Sequence, residues 1–120
     1  MGGLRPIETG APEARDMREQ REHEALAYDP FRDDETDVTG LADRFVTTRR
    51  THPCSLCQQD FPAGSRARAK TERNNEERKV MTFYFCPPCC EAMAASWTDY
   101  GRALIERETI AQRSARERVG

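Results

Sequence analysis

The chain has 120 residues, of which 37% are hydrophobic and 33% charged, and its net charge is −2 at pH 7. That length suffices for one ordinary domain, and this composition excludes a large apolar core. A small, charge-rich domain generally needs a stabilising cross-link or metal site, which the five cysteines can supply. The sequence has no apolar signal region and no membrane-spanning run. We therefore expect a cytoplasmic protein with reduced thiols and no membrane contact, rather than a disulfide-bonded secreted domain.

The charges are unevenly distributed along the chain. Residues 1–43 hold twelve acidic and five basic side chains, whereas residues 44–80 hold four acidic and nine basic ones. Residues 81–120 hold five of each. An acidic arm (1–43) of net charge −7 therefore precedes a basic segment (44–80) of net charge +5.

The first part of the acidic arm is predicted to contain one helix. Residues 1–10 are punctuated by glycine and proline and suggest a flexible lead-in, and a helix is expected over residues 12–28. Pro12 suits the first turn, where a missing N–H costs nothing, and Asp29-Pro30 ends the helix. The apolar stripe is thin, so this helix needs a surface to lie on. The stripe consists of Ala14, Met17, Ala25 and Tyr28.

The second part of the arm, residues 31–43, is acidic with a few spaced apolar residues. One interpretation is a solvated linker. The alternative is a segment that docks on a basic surface, since opposite charges attract over about 8–10 Å at ordinary salt. On that interpretation residues 29–43 fold back, with Phe31 or Leu41 covering apolar hairpin surface. The acidic residues are Asp33, Asp34, Glu35, Asp37 and Asp43, and the expected basic contacts are Arg66, Arg68 and Lys70.

Three strands are predicted between residues 44 and 85. Residues 44–50 are rich in β-branched and aromatic types, and residues 65–72 and 78–85 alternate as the two strands of a hairpin. Residues 73–76 are the expected turn, because Asn74-Asn75 tolerates positive φ. Basic side chains recur along this part of the chain and form a candidate binding surface, the basic ridge. The basic ridge comprises Arg49, Arg50, Arg66, Arg68, Lys70, Arg73, Arg78 and Lys79.

A helix is expected from Cys89 onward, with Pro87 and Pro88 pre-setting the backbone before it. A 4-3-4 spacing predicts a single apolar stripe on this helix, and Gly101 can divide it into two. Residues 105–120 alternate charges and predict a solvated, charged helical tail. The stripe consists of Met93, Trp97, Tyr100 and Leu104.

Four cysteines form two Cys-x2-Cys pairs separated by 28 residues. Two intervening residues bring both sulfurs of a pair to one side of a tight turn, and four thiolates complete a tetrahedral shell around Zn²⁺. We therefore predict one structural zinc ion with the ligands Cys54, Cys57, Cys86 and Cys89. Cys90 and His52 are the alternative ligand candidates. A cysteine in the position of Cys90 is more often a small buried hydrophobic residue than a ligand. A redox dithiol at the second pair is disfavoured, because the sequence has a second Cys pair and no βαβ pattern.

A knuckle, a hairpin and a helix that supplies the last two thiolates resemble a treble-clef zinc finger. The run Cys54-x2-Cys57-x3-Phe61-x2-Gly64, followed by the second pair, also resembles short zinc-finger proteins of bacterial and phage genomes. The resemblance covers roughly residues 52–100. It implies a small α+β zinc-stabilised fold with the four cysteines as ligands. The expected division is an acidic arm (1–43), a zinc-finger domain (44–104) and a charged tail (105–120).

Enzymatic activity is not expected, because four thiolates close the shell of the metal and the sequence offers no evident nucleophile and base. A regulatory or adaptor module that binds a protein accounts best for weakly self-sufficient helices at both ends. The alternative is a nucleic-acid-binding finger that uses the basic ridge, with Phe83 or Tyr84 stacking on bases. The basic residues also have a simpler explanation, since charges on a strand edge discourage aggregation.

Overall fold

The computed structural model describes residues 6–31 and 37–119. In these residues the chain forms a small α+β domain with three helices, a three-stranded antiparallel sheet and a two-stranded one. The elements are α1 (Pro6–Leu26), β1 (Val38–Thr47), β2 (His52–Pro53), β3 (Asp60–Phe61), β4 (Arg66–Asn74), β5 (Lys79–Phe85), α2 (Pro87–Asp99) and α3 (Arg102–Val119). The acidic run Asp33, Asp34 and Glu35, to which part of the docking prediction applied, lies outside the described residues.

Helix α1 is longer than predicted. It begins at Pro6 rather than Pro12, so the expectation of a flexible lead-in is wrong for residues 6–10. Pro6 satisfies the same rule, since a first-turn N–H has no partner within a helix. The surface that the helix needs is α2: Ala25 is buried, and the Trp97 Nε1–H donates to the Glu24 carbonyl over 2.8 Å.

Strand β1 begins where a linker was expected. It pairs antiparallel with β4 from Val38 to Thr47, so the predicted strand at residues 44–50 starts six residues too late and ends three too late. The register shifts between Gly40 and Ala42, which leaves Leu41 out of the pairing. Pairing with β4 satisfies backbone groups that a lone hairpin edge would leave to solvent, which favours extending the strand to Val38.

The predicted hairpin forms, with its turn two residues later than expected. Strands β4 and β5 pair from Arg68 opposite Phe85 to Asn74 opposite Lys79. The Asn74 Oδ1 accepts hydrogen bonds from the backbone N–H groups of Glu76 and Glu77, each over 3.0 Å. Asn74, the last residue of β4, therefore stabilises the turn. The positive φ that was expected at Asn74-Asn75 occurs instead at Arg78, at 58°.

The C-terminal helix divides at Gly101, as predicted. Tyr100 and Gly101 have φ values of 57° and 82°, and this left-handed pair ends α2 and turns the chain into α3. The predicted stripe requires one continuous helix, so it is correct only at Met93 and Leu104, which are buried. Trp97 is 57% exposed although it lies within α2, and Tyr100, which lies at the break, is 98% exposed.

The core lies between the sheet and the helices. Arg68, Phe83 and Phe85 share one sheet face, and Phe31 packs on the two phenylalanines with ring centroids 4.9 and 6.0 Å apart. The predicted covering of apolar hairpin surface is therefore confirmed for Phe31, whereas Leu41 is 53% exposed and does not take part. None of the helices in the described part of the chain is long and apolar enough to cross a membrane.

Candidate metal centre

The first cysteine pair lies in the turn between β2 and β3. The Cys54 N–H donates to the Gln59 carbonyl and the Gln58 N–H donates to the Cys54 carbonyl, both over 2.9 Å. Gln58 adopts a φ of 64°, which lets the turn close within so few residues. Buried Phe61 on β3 fixes this small hairpin to the core. The turn thus holds the Cys54 and Cys57 sulfurs on one side.

The second pair lies at the start of α2. Cys86 is the N-terminal cap residue in an extended conformation, and Cys89 follows in the first turn after the two prolines. The Cys54 Sγ accepts backbone N–H groups from Leu56 over 3.4 Å and from Cys86 over 3.3 Å. Since the Ser55 N–H also donates to the Tyr84 carbonyl over 2.8 Å, the knuckle and the helix start are fixed to each other.

The four sulfurs form one cluster. They lie within 4.8 Å of one another, and the closest hydrogen-bonded pair, Cys57 and Cys86, is separated by 3.8 Å. Each of the four cysteines is at most 4% exposed. Tetrahedral zinc with Zn–S bonds of about 2.3 Å places its sulfurs about 3.8 Å apart. The arrangement can therefore hold a metal ion after only a small contraction.

The sulfurs also influence one another's ionisation. Hydrogen bonds with the Cys86 and Cys89 side chains hold the pKa of the Cys54 thiol far below its usual range. The same hydrogen bonds to Cys54 raise the pKa of Cys86 to about 12 and also raise that of Cys89. One thiolate is thus favoured, and ionisation of Cys86 and Cys89 is opposed, chiefly by their hydrogen bonds to Cys54 and also by burial. A bound dication would relieve that opposition.

Arg107 on α3 contacts the cluster, although it is not among the site residues predicted from the sequence. Its Nε donates to the Cys89 Sγ over 3.3 Å, and its Nη2 lies 3.4 Å from the Cys57 Sγ and 3.8 Å from the Cys86 Sγ. Burial opposes the charge of Arg107, but the bonds to Cys89 and Cys57 outweigh it and raise the pKa of the guanidinium. The available signal was helical spacing, since Arg107 lies between Leu104 and Ile110 on the face of α3 that packs on the core.

The charged tail is therefore not simply solvated, and that prediction is wrong at Arg107. Ile110 also packs against the core, and the Gln59 Nε2 donates to the Ser114 hydroxyl over 2.5 Å. These contacts place α3 against both α2 and the knuckle. The sequence suggested a free helix because α3 is poor in apolar residues, whereas its buried face is filled partly by a charged side chain.

The two spare ligand candidates lie outside the cluster. Cys90 is 5% exposed and its Sγ donates to the Phe85 carbonyl over 3.3 Å. Burial raises the pKa of the Cys90 thiol to about 12. His52 stacks on Tyr84, with ring centroids 3.8 Å apart and planes inclined by 16°. Cys90 is thus the small buried side chain that the sequence predicted, and His52 covers one face of the hairpin.

The basic ridge is not one continuous surface. Its middle is paired with the acidic arm: Arg66 donates two bonds to Glu22 over 2.8 and 3.0 Å, and Lys70 lies 3.5 Å from Asp43. Arg68 is 1% exposed, so the expectation that it lies on an exposed ridge is wrong. The other five residues are exposed, in two groups at opposite ends of the nine-residue β4, roughly 26 Å apart. These are Arg49 and Arg50 at one end, and Arg73, Arg78 and Lys79 at the other.

An apolar surface lies at the turn between α2 and α3. Trp97, Tyr100 and Ile105, which we call the apolar corner, are 57%, 98% and 62% exposed. They border a groove of about 390 Å³ whose remaining lining is Tyr28, Ser96, Gly101, Leu104 and Glu108. Large exposed apolar residues grouped beside a groove are typical of interaction sites, whereas single ones are ordinary.

Comparison with models of protein families, with curated proteins and with solved structures found no match to this chain.

Proposed function

We propose that this chain is a non-enzymatic zinc finger of treble-clef type that binds a protein partner in an adaptor or regulatory role. The observation that carries the proposal is the buried cluster of Cys54, Cys57, Cys86 and Cys89, with sulfurs within 4.8 Å of one another. A small domain that buries four thiols at one point, rather than apolar side chains, depends on a metal for much of its stability.

Zinc is the metal that fits this donor set best. Four thiolates suit zinc or iron in tetrahedral geometry, and the separations within the cluster match a single ion. Four protein ligands leave no open position for substrate or water, which favours a structural role and supports a protein without catalytic activity. The reducing cytoplasm expected from the sequence keeps such thiols available for zinc.

The treble-clef assignment is supported by the order of the elements. A knuckle between β2 and β3 carries the first two cysteines, the β4–β5 hairpin follows, and α2 carries the last two at its start. Strand β1 extends the hairpin to three strands, and α1 and α3 pack around this unit.

A protein partner is favoured by the apolar corner. Trp and Tyr are the residue types that contribute most at protein interfaces, because a rigid ring buries a large area at little entropic cost. Tyr100 holds a left-handed φ of 57° while 98% exposed, so neither burial nor backbone preference explains an aromatic residue there. Strain retained at an exposed aromatic residue is typical of a functional surface.

Nucleic acid is the second candidate, favoured by the five exposed residues of the basic ridge. They lie in two groups, and Glu76 and Glu77 are exposed in the turn beside the second group. Two basic groups that are this small and this far apart can contact few phosphates. They therefore support weak, strongly salt-dependent binding. We therefore rank this function below protein binding.

The experiment compares capture by the zinc-loaded full chain and by the double variant Tyr100→Ala, Ile105→Ala. Both are immobilised and incubated with cell extract, with and without nuclease. We expect proteins that the wild type retains in nuclease-treated extract and that the double variant loses. Met17→Ala is the control, because Met17 is 68% exposed and lies on α1, away from the corner. Equal retention by all three proteins contradicts the proposal, and retention abolished by nuclease supports the nucleic-acid function instead.

A further inference from the structure

The guanidinium of Arg107 is shared by three of the four clustered sulfurs. Its Nε and Nη2 point at Cys89, Cys57 and Cys86 over 3.3, 3.4 and 3.8 Å. Among the described residues no carboxylate forms an ion pair with Arg107, and its charge partners are the sulfurs of Cys89 and Cys57. A planar guanidinium can address several acceptors at fixed angles, which the single ammonium of lysine cannot.

Both C-terminal helices are thereby connected to one centre. Cys86 and Cys89 fix the start of α2, and Arg107, in the second turn of α3, contacts the same sulfurs. The apolar corner lies at the turn that joins the two helices. The angle between the helices, and with it the groove between Trp97 and Ile105, is consequently set from both sides by the cluster.

The charges of a metal-loaded cluster also favour this connection. Four thiolates around one dication leave two negative charges in excess, inside a site that is almost completely buried. A fixed positive charge at hydrogen-bond distance reduces that excess, and hydrogen bonds to metal ligands are a recognised means of adjusting a metal site.

We propose that Arg107 is a positioning residue of the metal centre: it balances the thiolate shell and docks α3 on it. Metal occupancy and the shape of the apolar corner are then one event. The inference rests on the proposed function, because it needs both a metal at the four cysteines and a partner surface at the corner. It adds a regulation, since loss of the metal would release α3 and dismantle the partner surface.

The first test uses cobalt as a spectroscopic probe in the full chain. Hydrogen bonds lower the energy of sulfur lone pairs, so removing them should shift the thiolate-to-cobalt charge-transfer band to lower energy. We expect a clear shift in Arg107→Gln, a smaller one in Arg107→Lys and none in Arg113→Gln. Arg113 is the matched control, because it is exposed on the same helix and has the same charge.

The second test measures amide hydrogen exchange in α3 of the cobalt-loaded proteins. Exchange over residues 106–116 should be about tenfold faster or more in Arg107→Gln, with little change in β4 and β5. An unshifted band together with wild-type protection of α3 overturns the proposal. If Arg107→Gln fails to fold, the band of Arg107→Lys decides in the same way. Loss of cobalt by both Arg107→Gln and Arg107→Lys, but not by Arg113→Gln, supports the proposal.

The same experiment separates this inference from the proposed function. If the wild-type chain binds no cobalt, the metal centre itself is wrong. If the wild type binds cobalt and Arg107→Gln has the same spectrum and the same protection, only the role of Arg107 is wrong.

Discussion

Arg68 and Asp43 form a two-point ion pair that connects the acidic arm to the hairpin. The Arg68 Nε and Nη2 donate to the two Asp43 carboxylate oxygens over 2.8 and 2.7 Å, and Arg68 is 1% exposed. The Arg68 Nη1 also donates to the carbonyls of Ala25 and Tyr28 at the end of α1, over 3.0 and 2.8 Å. One buried guanidinium thus joins Asp43 on β1 to two backbone carbonyls at the C-terminal end of α1.

We expect Asp43→Asn to destabilise the fold by about 3 kcal/mol. The substitution leaves the Arg68 charge buried without its counter-charge, and breaking a buried pair from one side costs about 3–5 kcal/mol. The lower end applies because the Asp43 side chain is 29% exposed. Urea denaturation of the metal-loaded protein measures the change in the free energy of unfolding.

Asp60→Asn is the control for that measurement. It makes the same change on an exposed residue of β3, and we expect it to alter the free energy of unfolding by less than about 0.5 kcal/mol. Equal stability of the two variants would show that the buried ion pair contributes nothing.

The left-handed conformation of Tyr100 gives a second prediction. Tyr100→Ala and Tyr100→Gly both remove the exposed ring, but only glycine removes the steric cost of a Cβ at a φ of 57°. We expect Tyr100→Gly to be more stable than Tyr100→Ala by about 1 kcal/mol, compared by thermal denaturation. Both variants should lose partner binding equally. If the alanine variant is the more stable, the reversal between α2 and α3 does not have this geometry in solution.

The fifth cysteine gives a third prediction. Cys90→Ala should keep its metal and lose about 1 kcal/mol or somewhat more, the cost of a small cavity and of one weak hydrogen bond to Phe85. Cys57→Ser should lose the metal, and with it the packing of the knuckle on α2. Metal content and near-ultraviolet circular dichroism of the two variants distinguish them. Metal loss in Cys90→Ala would mean that the ligand set includes Cys90.

The sequence predicted best those features that depend on local chemistry. The two Cys-x2-Cys pairs identified the cluster because their spacing is short and each pair occupies a single turn. Gly101 predicted the helix break because a φ of 82° is rare for other residues. The fold-back of the arm, inferred from opposite charges, is confirmed at Asp43, which contacts both Arg68 and Lys70.

Features that depend on pairing between distant segments were predicted poorly. The first half of strand β1, residues 38–43, is exposed, and it becomes a strand by pairing with the edge of β4. In the sequence Arg107 is one charge among many in a charged tail. The cysteines that it contacts are 18, 50 and 21 residues away along the chain. Arg68 belonged to an evident basic pattern, whereas its burial depends on how α1 crosses the sheet.

The most direct test of the central claim is the zinc content of the purified full chain, followed through a chelator titration under reducing conditions. Elemental analysis and native mass spectrometry should give one zinc per chain. Because zinc binding contributes on the order of 10–16 kcal/mol in small fingers, its removal should abolish the near-ultraviolet signal of the folded protein. Re-addition of zinc should restore that signal. A chain that contains no zinc and stays folded in excess chelator would contradict the account.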